Sequence, residues 1–312
     1  MLSRRHLRIR VMQALYAYYQ SDTKDMVRTE QELLNGTKKI FELYLLIMKM
    51  FVEMAEQEEM YYADTPASAV TGIRKSANRL LKENVFIAWL EKSSPFLKNV
   101  RDNKISWQGD HDVVKKAFFQ LRQTDQYKTY SSSESTTVKQ DIELINWLFQ
   151  EIFTRQEFVV SLLEERNIYW AESMIMMESM ISKTLDSGKN SGEFKLLPLY
   201  KDEEDDVKFM RELVKQTIKE DAYFTQIIGE KTQNWDADRI AIVDIILMKM
   251  ALSEILYQSS IPIKVSINEY IDISKDYSTP NSKSFINGVI DKLVIELKEQ
   301  GKIQKVGRGL LE

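Results

Sequence analysis

The residues best placed to do chemistry in this chain are cationic and lie at its start. Arg4, Arg5 and Arg8 fall within about one helical turn of each other, and residues 1–21 hold a fourth arginine, Arg10, with no Asp, Glu or Lys. Leu7, Val11, Ala14, Leu15 and Tyr18 form an apolar stripe opposite them at helical spacing. Such a helix can dock by its stripe and present guanidinium groups, whose planar forks suit phosphates and unpaired bases. The same pattern also describes a solvated helix end whose charges aid solubility, and the helix alone leaves both readings open.

Catalytic candidates are weaker. The chain has no cysteine and two histidines, which excludes disulfides, thiolate zinc sites and thiol catalysis and leaves little for triads or metal hydrolysis. Asp110-His111-Asp112 reads as a surface loop, because adjacent side chains rarely converge on one ion. Gly229-Glu230-Lys231-Thr232 echoes the end of a phosphate-binding loop but lacks the earlier glycine and the preceding strand. Glu56, Glu58 and Glu59 read as a solvated helix face. No cofactor glycine loop of the dinucleotide-binding kind occurs. The expectation is a non-enzyme without cofactor or metal.

A second candidate lies near the other end. Thr279-Pro280-Asn281-Ser282 is a helix-start signature, with capping oxygens and a proline ready for the first turn. The unpaired backbone N–H groups there make a natural phosphate seat. Lys283 adds charge, and Phe285 is either a stacking face for a base or a core residue. Gly288, inside a good helix, reads as a packing device that admits a crossing helix.

The elements that must position these groups are helices. Long apolar periods at helical spacing cover residues 3–20, 29–62, 67–91, 112–126, 137–166, 169–185, 205–229, 236–258, 262–277 and 281–299. Pro66, Pro95, Pro198 and Pro280 fall between them. Ile261, Ile263, Val265 and Ile267 alternate like a strand, but an isolated strand has no partner, and Ile263, Ile267, Tyr270 and Ile271 also fit a helix begun at Pro262. Tyr127–Thr137 and Asp186–Asp206 read as loops, with Leu196, Leu197 and Leu199 pinned against a helix.

The 312 residues have a 29% charged and 44% hydrophobic composition, that of a globular protein with a sizeable core. The net charge of −4 conceals +4 in residues 1–21, which leaves −8 for the remainder. An acidic body with one basic end suggests a placed electrostatic footprint. No signal peptide or membrane-spanning stretch is apparent, since the most apolar run, Leu43–Met48, is bounded by Glu42 and Lys49. A cytoplasmic protein without membrane association is expected.

Three strings, in order, carry a family resemblance. Arg4-Arg5-His6-Leu7-Arg8 followed by Val11-Met12-Gln13-Ala14-Leu15-Tyr16 resembles the opening arginine-rich helix of the NusB transcription antitermination family. Asn234-Trp235, Asp238-Arg239 and the run Asp244–Ile255 resemble its fourth helix. Pro262–Glu269 (PIKVSINE) and Ser284–Lys292 (SFINGVIDK) are similar to its most characteristic strings.

The resemblance implies an all-α, NusB-like bundle made from residues 1–24 and 201–312, interrupted by an inserted helical module at 25–200. It implies RNA contacts from Arg4, Arg5, Arg8, Gln13, Tyr16, Lys249, Asn281, Lys283 and Phe285, and partner contacts from Asp238 and Asp244. The implied ligand is a single-stranded, boxA-type leader RNA, read in antitermination of ribosomal RNA operons. The implied partners are a small-subunit ribosomal protein in the NusE role and, indirectly, the RNA polymerase elongation complex. His6 stands where the family has arginine, Lys249 likewise, and Asn281 where an acidic residue is usual. A non-catalytic interaction scaffold of the same fold, with weak or no RNA binding, is the alternative.

Overall fold

In a computed structural model that describes residues 1–64, 78–170, 173–232 and 240–310, the chain is all-α, with fourteen α-helices and no strand among those residues. The backbone forms two compact units, residues 37–199 with Met1, and residues 2–36 with 200–312. The first boundary falls inside one helix, at Gly36–Thr37, eleven residues past the start of α2 (Met26–Asp64).

The unit of residues 37–199 is built on the rest of α2. Ile40, Leu43, Tyr44, Leu45, Ile47, Met48 and Phe51 are all buried, so this segment has little polar face and is wrapped by shorter helices. These are α3 (Val85–Lys92), α4 (Ser94–Asp102), α5 (His111–Leu121), α6 (Asp125–Ser131), α7 (Val138–Gln150), α8 (Glu157–Arg166) and α9 (Met174–Ser187). Buried Trp107 donates its indole N–H to the Leu46 carbonyl at 3.0 Å, and Trp170 donates to that of Lys39 at 2.8 Å. The Phe51 ring meets Phe86 and Phe153 edge-on at 6.5 and 6.2 Å.

Four expectations change here. The helix read at 137–166 is broken by a π-helical turn at Glu151–Arg155 and a kink at Gln156. Tyr127–Thr137 is not all loop, because Thr124 caps α6 and buries Tyr127 and Tyr130, leaving residues 132–137 as the connection. In the second loop the buried anchor is Phe194, whose ring lies 5.0 Å from Phe86 and 5.7 Å from Trp89; Leu196, Leu197 and Leu199 are half-buried, with the Leu197 N–H donating to the Tyr44 hydroxyl of α2 at 3.4 Å. Gly188 is required there, since a Cβ would sit 2.4 Å from the Phe194 ring. Glu58 is not solvated: it is fully buried and accepts hydrogen bonds from the Tyr127 hydroxyl (2.5 Å) and the Leu81 N–H. A carboxylate can be buried when both oxygens find donors.

The second unit contains α1 (Arg4–Gln20), α10 (Glu203–Lys219), α11 (Asp221–Thr232), α12 (Ile242–Tyr257), α13 (Ile263–Tyr277) and α14 (Ser282–Glu299). α12 is central and packs against the other five. Ile246, Leu247, Met248, Met250, Ala251, Leu252 and Ile255 give it apolar surface on all sides. The helix read at 205–229 divides at Glu220, so that α10 packs on α1 and α12 while α11 packs on α12 and α14. The α13 reading over a strand holds, with Pro262 as the residue before the first turn. Asn234, Trp235, Asp238 and Arg239 lie outside the described residues.

Candidate nucleic-acid interface

The opening helix is capped by Ser3, whose hydroxyl accepts the His6 N–H at 3.3 Å while the His6 ring accepts the Ser3 N–H at 3.3 Å. This reciprocal cap starts the helix at Arg4. Leu7, Val11 and Leu15 are buried, as the apolar stripe requires. The first turn lies beside a groove of about 970 Å³ lined by Arg4, Arg5, Arg8, Phe209, Tyr257 and Val265, among others.

The three arginines have different surroundings. Arg4 pairs with Asp205 and, at 3.4 Å, with buried Asp206, and its guanidinium lies 4.4 Å from the Phe209 ring centre. Arg5, 42% exposed, grips both oxygens of Glu269 at 3.0 Å each and reaches Asp272 at 2.9 Å. Arg8 is 3% exposed and forms a two-pronged pair with fully buried Glu254, 2.8 Å for each bond. Glu254 also accepts from Ser266 at 2.7 Å and Tyr270 at 3.0 Å. Burial is the largest single influence on the Arg8 pKa and lowers it; the hydrogen bonds to Glu254 and the charges of Glu254 and Glu269 together outweigh it, and the guanidinium is held above its usual range. Burial, then the Glu254 charge, pushes the Tyr270 hydroxyl well up.

Outward presentation of all three arginines is therefore corrected. Arg8 is a buried tie between α1, α12 and α13, because a carboxylate inside an otherwise apolar helix needs a cation. Arg4 and Arg5 remain at the surface of the groove. Gln13 is half-buried and accepts from Arg10 at 2.7 Å, and Tyr16 is exposed further along α1. Neither lines the groove.

Two further expected positions are also buried. Lys249 pairs with Asp221 at 2.5 Å, with its Nζ 4.9 Å from the Tyr19 ring centre, so its charge serves α12–α11 packing in this conformation. Asp244, expected to face a partner, is buried and accepts from Ser278 at 2.6 Å and Ser282 at 2.7 Å. Its role is to anchor the start of α14 to α12. Asp238 lies outside the described residues.

At the start of α14, Asn281 and Lys283 are exposed and the Asn281 side chain makes no cap bond; Ser282 and Thr279 supply the local hydrogen bonds instead. Phe285 is 7% exposed, which decides between its two readings in favour of the core and corrects its place as an open stacking face. Gly288 is exposed and a Cβ there would meet nothing within 4 Å among the described residues, so no described helix crosses closely at it. The groove thus gathers Arg4, Arg5 and Arg8 but not Lys249, Asn281, Lys283 or Phe285.

Sequence reasoning missed Phe209, Tyr257 and the five carboxylates that face the arginines. One signal was available: Glu254 stands in a mostly apolar run, with Met250, Ala251 and Leu252 before it and Ile255 and Leu256 after it, a position that calls for a buried partner. Among the enzymatic candidates, Asp110 pairs with Arg166, and Lys231 of the discarded loop pairs with Glu296 within helical surroundings. Among the described residues, no group of three or more His, Asp or Glu is arranged to hold a metal, and no helix is long and apolar enough to cross a membrane.

These features define an all-α bundle with an arginine-lined groove at the start of its first helix. Residues 184–294 match the model of the NusB family, and α1 lies outside that match. The chain is 43% identical over 103 residues to the transcription antitermination protein NusB of Salinibacter ruber, covering 33% of this chain and 64% of that one. It is 46% identical over 85 residues to the protein of that name from Chloroherpeton thalassium (27% and 40%) and 42% over 96 residues to that of Methylacidiphilum infernorum (30% and 65%). The matched region spans less than two thirds of each relative. No solved structure matches the chain.

Proposed function

We propose that this chain is a non-catalytic, cytoplasmic RNA-binding factor of transcription antitermination, acting on a single-stranded boxA-like leader RNA of ribosomal RNA operons. The observation that carries the reading is the Arg4–Arg5 end of α1, half-buried at the wall of a groove beside α10, α12 and α13, within a unit that contains most of the NusB-matching residues. Arg4 and Arg5 are the phosphate contacts, with Gln13, Tyr16, Asn281 and Lys283 extending the path. A small-subunit ribosomal protein in the NusE role binds beside the RNA, and Asp238 is the remaining acidic candidate for that contact. The complex reaches RNA polymerase through this assembly.

The test is assembly. Labelled boxA-like RNA is titrated with this protein, with and without the basic ribosomal protein. Tighter RNA binding in the ternary mixture than in either binary pair is expected. Equal affinity with and without the ribosomal protein would argue against cooperative assembly.

One observation favours the second reading, a helical interaction scaffold with weak or no RNA binding. Arg4, Arg5 and Arg8 each already face carboxylates. Absence of RNA binding at low salt, with the ribosomal protein still bound, would select that reading.

A further inference from the structure

Arg5 and Arg8 sit one turn apart and both engage Glu269, yet their pairs differ in kind. The Arg8–Glu254 pair is sealed from water, whereas Arg5, Glu269 and Asp272 have side chains that are 42%, 23% and 36% exposed. Water and ions reach the outer pair, so it is weakened by screening and open to exchange. Arg5 spends Nε–H and both Nη2 hydrogens on the two carboxylates, which leaves its Nη1 group without a hydrogen-bond partner among the described residues.

A phosphodiester presents two anionic oxygens in much the same geometry as a carboxylate, and the guanidinium fork accepts either. Both acids also have a second cation. Lys275 holds Asp272 at 2.5 Å from the side away from Arg5, and Arg8 Nη1 lies 3.5 Å from Glu269. When Arg5 turns to another anion, neither acid is left unpaired. The exchange is therefore prepared on both sides.

We propose that Glu269 and Asp272 are a built-in competitor for the RNA backbone at Arg5, so that a phosphate binds there by displacing carboxylates and the two acids set the affinity. This rests on the reading of the chain as a single-strand RNA binder. The acids act through Arg5 and are positioning residues; they do not touch RNA.

The test uses the full chain and a short single-stranded RNA at low salt. Asp272→Asn should tighten binding about two- to fivefold, the range of an exposed ion pair, and Glu269→Gln should do likewise. In an Arg5→Ala background Asp272→Asn should have no effect. Asp276, exposed one turn further along α13 with no ion pair among the described residues, is the control for charge alone. Thermal melts establish that each variant is folded. Equal gains from Asp272→Asn and Asp276→Asn, or a gain that persists without Arg5, would mean bulk charge and overturn the competitor role. Wild type that binds through Arg5 but is unchanged by both acid variants would overturn the competitor alone. Absence of binding by every variant would overturn it together with the RNA-binding reading.

Discussion

Arg8 and Glu254, 246 positions apart in sequence, form a water-excluded, two-pronged ion pair that ties the first helix to the central one. Its neighbours Ser266 and Tyr270 use the remaining acceptor capacity of the carboxylate. Removing one partner leaves the other charged and dry, which costs about 3–5 kcal/mol. Glu254→Ala or Arg8→Ala should lower hydrogen-exchange protection of α1 and α12 by about two to four orders of magnitude. Unchanged protection in both variants would contradict the structural role of the pair.

Phe285 belongs to the core under α14. Phe285→Ala should destabilise the 2–36 and 200–312 unit by roughly 3–5 kcal/mol, while the folded fraction keeps its RNA affinity. A loss of affinity with normal stability would restore the stacking role.

The two readings that changed most show what a local pattern contains. Helices were legible because apolar spacing is a local property, and so was the alignment of Arg4, Arg5 and Arg8 on one turn. Which arginine is buried was not legible, since it depends on Glu254 and Glu269, hundreds of residues away, whose own faces are set by packing. Glu58 was misread for a related reason. Glu56 and Glu59 beside it suggest a wet face, but Tyr127 arrives from a segment whose serines made it look like loop.

Gly288 sits in open space on the exposed face of α14, so its lack of a side chain only weakens the helix. Gly288→Ala should stabilise by about 0.8–1 kcal/mol. Thermal unfolding checks the sign, and a destabilised variant would mean that the glycine is needed within the chain.

Glu58 gives the module of residues 37–199 a pH dependence. Burial is the main cause that raises its carboxyl from 4.5 to about 7, with the hydrogen bonds from Tyr127 and the Leu81 N–H opposing it. The folded state then holds a proton that the unfolded state has released. The contribution is present below pH 4.5 and is lost as pH rises through about 7. Between pH 5 and 8 the wild type should lose roughly 2–3 kcal/mol relative to Glu58→Gln, which mimics the protonated acid. Denaturant unfolding of both proteins across that range tests it, and parallel curves would contradict the assignment.

RNA binding through the Arg4–Arg5 end of α1 is most directly tested by the salt dependence of affinity for a short boxA-like single strand. Wild type and an Arg4→Ala, Arg5→Ala double variant are titrated from low to physiological salt, leaving Arg8 in place to preserve the fold. Two lost phosphate contacts should reduce the slope of log affinity against log salt by about 1.4, at roughly 0.7 per contact on single strands. Equal slopes and equal affinities would mean that these arginines do not touch the RNA.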